Sequence, residues 1–262
     1  MIIGSGNHRY EVIDQWGKLP AGKRLGTTHA VIEDAQGRIF IHHTGPEETV
    51  SIFTPEGKYL GGWGAQYSPG AHGMFYNREA EGEFLYLAAT NQNFVAKTTL
   101  DGQEVLRITI PPREDIYVFR LMFSPTEVAV ASTGDLYIAD GYGQSWIHRY
   151  TAAGEYVGSW GGVGAKPGQL DNPHGIKIDR RSGRELVVVA DRKNSRLQYF
   201  TLEGELARVS TPDIRWPCTV HAHGDELYIP DLLSRVTILD KNDNAIAHLG
   251  DRPDCWKRED WP

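Results

Sequence analysis

The sequence predicts an all-β protein of repeated four-stranded antiparallel sheets, the architecture of a β-propeller. Three observations predict it. One pattern is written twice between Ser124 and Gly204. Pro125-Thr126 leads into Val128 and Val130, a Gly-Asp turn, LYIAD, IHRY and a turn at Gly154. Pro173-His174-Gly175 leads into Ile176 and Ile178, a Ser-Gly turn, LVVVAD, LQYF and a turn at Gly204. The turns at Gly154 and Gly204 lie 50 residues apart, at the upper end of the roughly 40–50-residue spacing of propeller blades. Helical periodicity is absent, and 29 glycines with 14 prolines punctuate the chain as turns.

The remaining elements follow the same template. Repeat one, 27–64, reads THAVIED, RIFIHHT and the hairpin VSIF-TPEG-KYLGGWG. Repeat two, 71–108, reads AHGMFYN, EFLYLAAT and VAKTTLDGQEVLRI. An insertion with poor alternation, 111–123, reads as a long loop between blades that covers one mouth of the ring; long loops between regular elements are often functional. Repeats three and four, 124–161 and 172–210, carry the written-twice pattern, and repeat five is 217–250. Each closing hairpin has a residue suited to positive φ: Gly57, Gly102, Gly154, Gly204 and Asn244. Residues 10–16 resemble the last strands GKYLGGWG and GEYVGSWG, so the chain is expected to open with an outermost strand that closes the ring. Five repeats plus that strand imply a six-bladed propeller in a single domain, 1–262. The polar tail 251–262 is too short to supply the missing strands, so either the chain lacks about one repeat, the favoured reading, or five blades close with an odd N-terminal arm.

Composition narrows the function classes. The net charge is −7 with no basic run, which argues against nucleic acid or an acidic membrane surface as partner. No stretch approaches the roughly 18 apolar residues of a membrane span, and MIIGSGNHRYEV is no signal peptide, so cytoplasmic is the default location. Two cysteines, Cys218 and Cys255, make no disulfide framework. No nucleophile elbow, P-loop or dinucleotide fingerprint is present.

The chemistry concentrates at matching positions where the inner strands begin: His29, His72, Thr126, His174 and Cys218. In a propeller these positions ring the central channel, so imidazoles from separate blades would converge. Neutral imidazole is a common ligand for zinc, and three protein ligands with an open position make a catalytic site. A lone histidine at a strand start is otherwise a hydrogen-bonding turn residue. His72 and His174 share an Ala/Pro-His-Gly setting and are the stronger metal candidates. His42 and His43 alternate across the second strand of repeat one. Either one of them points into the channel, or both are exposed strand-end residues. Cys218 reads as a small buried residue or a soft ligand. Asp140, Asp191 and Asp231 recur at the ends of second strands and read as acceptors for the N–H groups of the following turn.

The runs SPTEVAV, LYIADGYGQSWIHRY, PHGIKID and VVVADRKNSRLQYF resemble NHL-repeat propellers. More closely, they resemble the lyase domain of the peptide α-amidating enzymes and its bacterial relatives, most strongly over 124–204. That resemblance implies a six-bladed NHL propeller that splits peptidyl-α-hydroxyglycine at a zinc ion held by three histidines. His72 and His174 match two of those ligands. Tyr142 in DGYG matches the family's proposed base on the substrate hydroxyl, and Arg192 in ADRKN matches an arginine near the metal, a fork suited to a carboxylate. The third family histidine belongs to a last repeat that this chain lacks. Thr44 stands where the family carries an arginine in repeat one.

Three readings stand open. One is a zinc-dependent lyase-like enzyme acting on a hydroxylated small molecule or peptide end. The second is a non-catalytic NHL propeller that binds a protein partner. The third is a propeller hydrolase, such as a lactonase using calcium, whose site would want carboxylates and carbonyls. Recurrent His-Gly at the inner strand starts favours the first.

Overall fold

A computed structural model describes residues 1–251 of the chain. Among these residues the structure is all-β, with two short 3-10 turns at Ala65–Tyr67 and Arg120–Met122, and no helix is long and apolar enough to cross a membrane. The chain divides into two compact units, Asp14–Gly158 and, as the other, Met1–Ile13 with Ser159–Pro262; each is described by itself.

The chain opens with a ribbon, β1 (Ile2–Ser5) paired with β2 (His8–Glu11). Four-stranded antiparallel sheets follow. The first is β3 (Thr28–Glu33), β4 (Ile39–His43), β5 (Glu48–Phe53) and β6 (Tyr59–Gly64). The second is β7 (Ala71–Glu79), β8 (Gly82–Ala89), β9 (Phe94–Thr99) and β10 (Glu104–Ile108). The third is β11 (Glu127–Val130), β12 (Leu136–Ala139), β13 (Trp146–Tyr150) and β14 (Tyr156–Gly161). The fourth is β15 (Pro173–Asp179), β16 (Leu186–Asp191), β17 (Arg196–Phe200) and β18 (Leu206–Ser210). The fifth is β19 (His221–His223), β20 (Glu226–Asp231), β21 (Arg235–Leu239) and β22 (Ala245–Leu249). Strands are hydrogen-bonded in chain order within every sheet, as successive hairpins require.

Each expected repeat therefore forms one sheet. The strand expected over 10–16 does not form: the described residues hold five sheets and the ribbon, and no partial sixth sheet. Gly6 takes φ +54, which turns the chain back on itself so that His8–Glu11 pairs locally with Ile2–Ser5. The likeness of 10–16 to the closing strands survives in one side chain. Trp16 lies over Gly57, donating its indole N–H to Pro55 O at 2.7 Å. At Gly102 and Gly204 the rings of Trp63 and Trp160 lie directly over the bare Cα, whereas at Gly57 the Trp16 carbonyl is nearest and the ring edge lies behind it. A bare Cα lets the indole close on the neighbouring turn, so Trp-Gly and turn-Gly are one packing device.

The closing turns carry positive φ at Gly57, Gly102, Gly154 and Gly204, each donating its N–H three residues back. In the fifth sheet the residue is Asp243, at φ +63, and not Asn244. Its carboxylate accepts from Arg181 at 2.9 Å and Tyr199 at 2.8 Å, a buried hub that offsets the backbone strain.

Cores lie between neighbouring sheets of a unit. Phe40, Val50, Tyr67, Met74, Leu85 and Leu87 join the first two sheets. Tyr86, Val128, Leu136 and Ile138 join the second and third. Val188, Leu197, Tyr199, Val220 and Ile229 join the fourth and fifth. Each such side chain stabilises by roughly 1.5–3 kcal/mol through burial.

The aspartates at the ends of the second strands of the third, fourth and fifth sheets hold the loops beside them, before the strand as well as after it. Asp140 accepts from Ser124 N and Gln144 N, both at 2.6 Å. Asp191 accepts from Asp171 N at 2.7 Å and Arg196 Nε at 2.6 Å. Asp231 accepts from Leu233 N at 3.0 Å. The third sheet lacks the arginine that the fourth and fifth place beside this carboxylate. Tyr117 of the 111–123 insertion takes that place, donating to Asp140 at 2.6 Å and lying 2.7 Å from His148 Nε2.

Two measurements test this frame. Gly102→Ala places a Cβ 2.6 Å from the Trp63 ring on a left-handed backbone, and should lower the unfolding free energy in denaturant by about 1–3 kcal/mol. Burial pushes the Asp140 carboxyl up from 3.8 to about 6. The folded protein thus binds this proton more tightly than the unfolded chain does. The contribution of Asp140 to stability is complete below pH 3.8 and is lost as pH rises through about 6. The stability of wild type relative to Asp140→Asn should fall across that window and level off above it. A difference independent of pH would show that the carboxyl is not protonated there.

Candidate functional site

Three histidines at inner strand starts sit in register breaks. The β3–β4 ladder skips between Thr28 and Ala30, leaving His29 in the bulge. The β7–β8 ladder skips from Ala71 to Met74, around His72 and Gly73. The β15–β16 ladder skips from Pro173 to Gly175, around His174. Bulges re-aim a side chain away from the regular alternation and are over-represented beside active sites. The sequence shows the histidines but not the bulges, which exist only as a count against a partner strand.

The glycine after His72 and after His174 has a steric cause. A Cβ on Gly73 would overlap Thr126 O and lie 2.8 Å from Glu127 Cα; one on Gly175 would overlap Thr219 Cα and lie 2.8 Å from Cys218 O. The approach that these glycines permit brings a carbonyl of the next sheet onto each imidazole. His72 Nδ1 lies 2.7 Å from Thr126 O, and His174 Nδ1 lies 2.7 Å from Cys218 O. A carbonyl only accepts, so Nδ1 carries the proton in both rings and the neutral ring keeps its lone pair on Nε2. This is the arrangement in which imidazole ligates metal, with the outer nitrogen held by a backbone oxygen. Each unit thus holds an imidazole of the chemistry that zinc-class metals take. Among the described residues, no three His, Cys, Asp or Glu side chains are gathered in a metal-holding group.

In the unit Asp14–Gly158, His72 is the centre of a cluster. Its Nε2 lies 3.3 Å from Tyr142 Oη, and the rings meet edge-on at 5.2 Å. The His29 ring stacks on His72 at 4.4 Å. Tyr142 is 45% exposed, and its turn is held by Tyr142 N donating to Ser124 O and by the Asp140 acceptors. Imidazole and phenol thus face the same space, one rigid and buried, the other open to an incoming molecule.

His42 and His43 are both buried, which corrects the reading of both as exposed strand-end residues. Alternation sends them to opposite sides. His43 Nδ1 accepts from Gly26 N and Gly45 N at 3.2 and 3.1 Å, so its Nε2 donates to Ser51 Oγ at 2.9 Å. Ser51 donates onward to Glu48, which Lys23 and Tyr59 also hold. This network stitches the first sheet to the loop before it. His42 faces the His72 side instead, with Nδ1 3.1 Å from His72 O. Burial holds its ring neutral, with the pKa lowered to about 3. Thr44 binds backbone: its Oγ1 accepts from Thr27 N at 3.0 Å.

In the other unit, Arg192 is buried and its guanidinium lies 3.5 Å from Cys218 Sγ. In the same stretch Arg196 donates to the Asp191 carboxylate at 2.6 Å. Cys218 is half-buried, more open than the small core residue that its type suggested. Cys255 lies outside the described residues. The sequence reading missed Tyr117, His148 and the exposed apolar run Val118, Phe119 and Leu121 in the insertion. The alternation of 111–123 was too weak to separate the anchored Tyr117 from the outward side chains around it.

No family model matches the chain. It is 29% identical to NHL repeat-containing protein 3 of Homo sapiens over 184 residues, 67% of this chain and 52% of that one. It is 27% identical to peptidyl-alpha-hydroxyglycine alpha-amidating lyase 1 of Drosophila melanogaster over 230 residues, covering 74% and 41%. Over 81 residues it is 38% identical to peptidyl-glycine alpha-amidating monooxygenase of Mus musculus, covering 29% and 8%. The chain spans about half or less of the length of these relatives. Among solved structures, virginiamycin B lyase from Staphylococcus aureus matches with a TM-score of 0.62 at 13% identity, covering 89% of this chain and 72% of that one. The nidogen/laminin complex matches with a TM-score of 0.62 at 14% identity, covering 83% and 77%. The chain is thus similar in sequence to NHL-repeat proteins and to peptidyl-α-hydroxyglycine amidating lyases, and its fold is of the β-propeller kind.

Proposed function

We propose that this protein is a metal-dependent, lyase-like propeller that cleaves a carbon–nitrogen bond at a hydroxylated carbon of a peptide end or small molecule. The observation that carries this reading is the His72–Tyr142 pair, with imidazole Nε2 and phenol oxygen 3.3 Å apart and the imidazole tautomer set by Thr126 O. The names of the lyase relatives in Drosophila melanogaster and Caenorhabditis elegans point to the same substrate class.

His72 and His174 are each prepared as ligands, and zinc is the metal that imidazole nitrogen favours, whereas calcium would want oxygen donors. When bound, the metal supplies Lewis acidity toward a substrate oxygen. Tyr142 acts in its phenolate form, taking the proton of the substrate hydroxyl. As that O–H is lost, the carbon–oxygen double bond forms, the carbon–nitrogen bond breaks, and the proton taken up by Tyr142 passes to the leaving nitrogen. The exposed position of Tyr142 admits the substrate, while the Asp140 turn keeps the phenol oxygen in place. In the other unit, Arg192 is a planar fork of donors suited in itself to a carboxylate.

A second reading, a propeller that binds a protein partner, is favoured by Val118 and Leu121, 81% and 72% exposed. Glyoxylate release from an α-hydroxyglycine peptide separates the two. The lyase reading expects turnover by wild type and a loss of about a hundredfold in kcat for Tyr142→Phe, the usual scale of a missing general base. Absence of turnover in folded, metal-loaded protein would favour the binding reading.

A further inference from the structure

His42 carries a feature that the lyase reading does not use. Its side chain is fully buried, yet Nε2 has no hydrogen-bond partner. Buried polar atoms are seldom left so, because the water they gave up is not replaced. The other ring nitrogen is committed: Nδ1 donates to His72 O. His42 therefore repeats the tautomer set at His72 and His174, with the Nδ1 proton placed on a backbone carbonyl at the start of an inner strand. Its position is set from three sides. It pairs with Ala30 next to the bulge that holds His29, it touches the His72 backbone, and His29 stacks on the His72 ring. All of these residues belong to one unit, Asp14–Gly158.

We propose that His42 is a metal ligand, forming with His72 a two-imidazole site for a divalent cation of the zinc class within this unit. The proposal rests on the reading of His72 as a ligand and adds a donor from the second strand of the first sheet. A buried acceptor nitrogen of a neutral ring, with no protein donor to fill it, is the kind of group that such a cation recruits.

The test uses the full chain with zinc or cobalt ions alone as the probe. His42→Asn keeps an N–H where Nδ1 donates to His72 O but removes Nε2. It should lower zinc affinity by about a hundredfold in competition titrations, as should His72→Asn. His42→Cys loaded with cobalt should show a thiolate-to-cobalt charge-transfer band, a signature that arises only from a direct bond. Native circular dichroism of each variant establishes that it is folded. Should His42→Asn bind zinc as tightly as wild type while His72→Asn does not, His42 is no ligand and the metal reading of His72 stands. Should folded wild type bind neither ion, both ideas fall. Should the band be absent in cobalt-loaded His42→Cys, direct ligation at this position is refuted.

Discussion

The candidate site depends on the backbone carbonyl that begins an inner strand and fixes an imidazole of the sheet before it. Thr126 O accepts both from Gly73 N at 3.0 Å and from His72 Nδ1 at 2.7 Å. One oxygen thus joins two sheets and selects a tautomer. The glycine beside the histidine is what allows the approach, and the bulge is what turns the ring toward the carbonyl. Remove any of the three and Nε2 no longer has a defined direction. Fold stability and site chemistry meet in this contact, which recurs at His174 and Cys218 O.

A second layer holds the turns. In the third, fourth and fifth sheets the second strand ends in a carboxylate that takes up N–H groups of the loops beside it, and the sheets satisfy that carboxylate in different ways. Arg196 serves Asp191, Arg215 serves Asp231, and Tyr117 serves Asp140. The exchange of a cation for a phenol leaves Asp140 with no opposite charge to offset its burial. The turn that carries Tyr142 is thereby tied to the insertion, so a loop that is irregular by pattern is part of the frame of the site. Its outward residues, Val118, Phe119 and Leu121, are exposed beside this anchored stretch.

The first sheet shows how little separates a structural histidine from a functional one. His42 and His43 are neighbours in sequence, both buried, and each donates one ring proton. Two backbone N–H groups claim Nδ1 of His43, and its Nε2 proton goes into the Ser51–Glu48 chain, so both nitrogens serve the fold. His42 has one nitrogen in the fold and one outside it. Period-two alternation alone produces the difference, because it sends the two rings to opposite faces of β4.

The sequence by itself determined the sheets, and nearly their bounds. Strand alternation and turn glycines are local signals, set by side-chain period and by the sterics of positive φ, and they need no partner to be read. The His-Gly pairs and the Trp-Gly turns were likewise visible as recurrences. What only the tertiary structure decided is where the side chains of those motifs point. A bulge is defined by a partner strand, a tautomer by an acceptor some 50 residues away, and the burial of His42 by the next sheet. The N-terminal segment shows the same limit. Its likeness to a closing strand was real in Trp16, but Gly6 and local pairing set the strand itself. Local chemistry writes the elements, while contacts distant in sequence select which of their groups are left over for function.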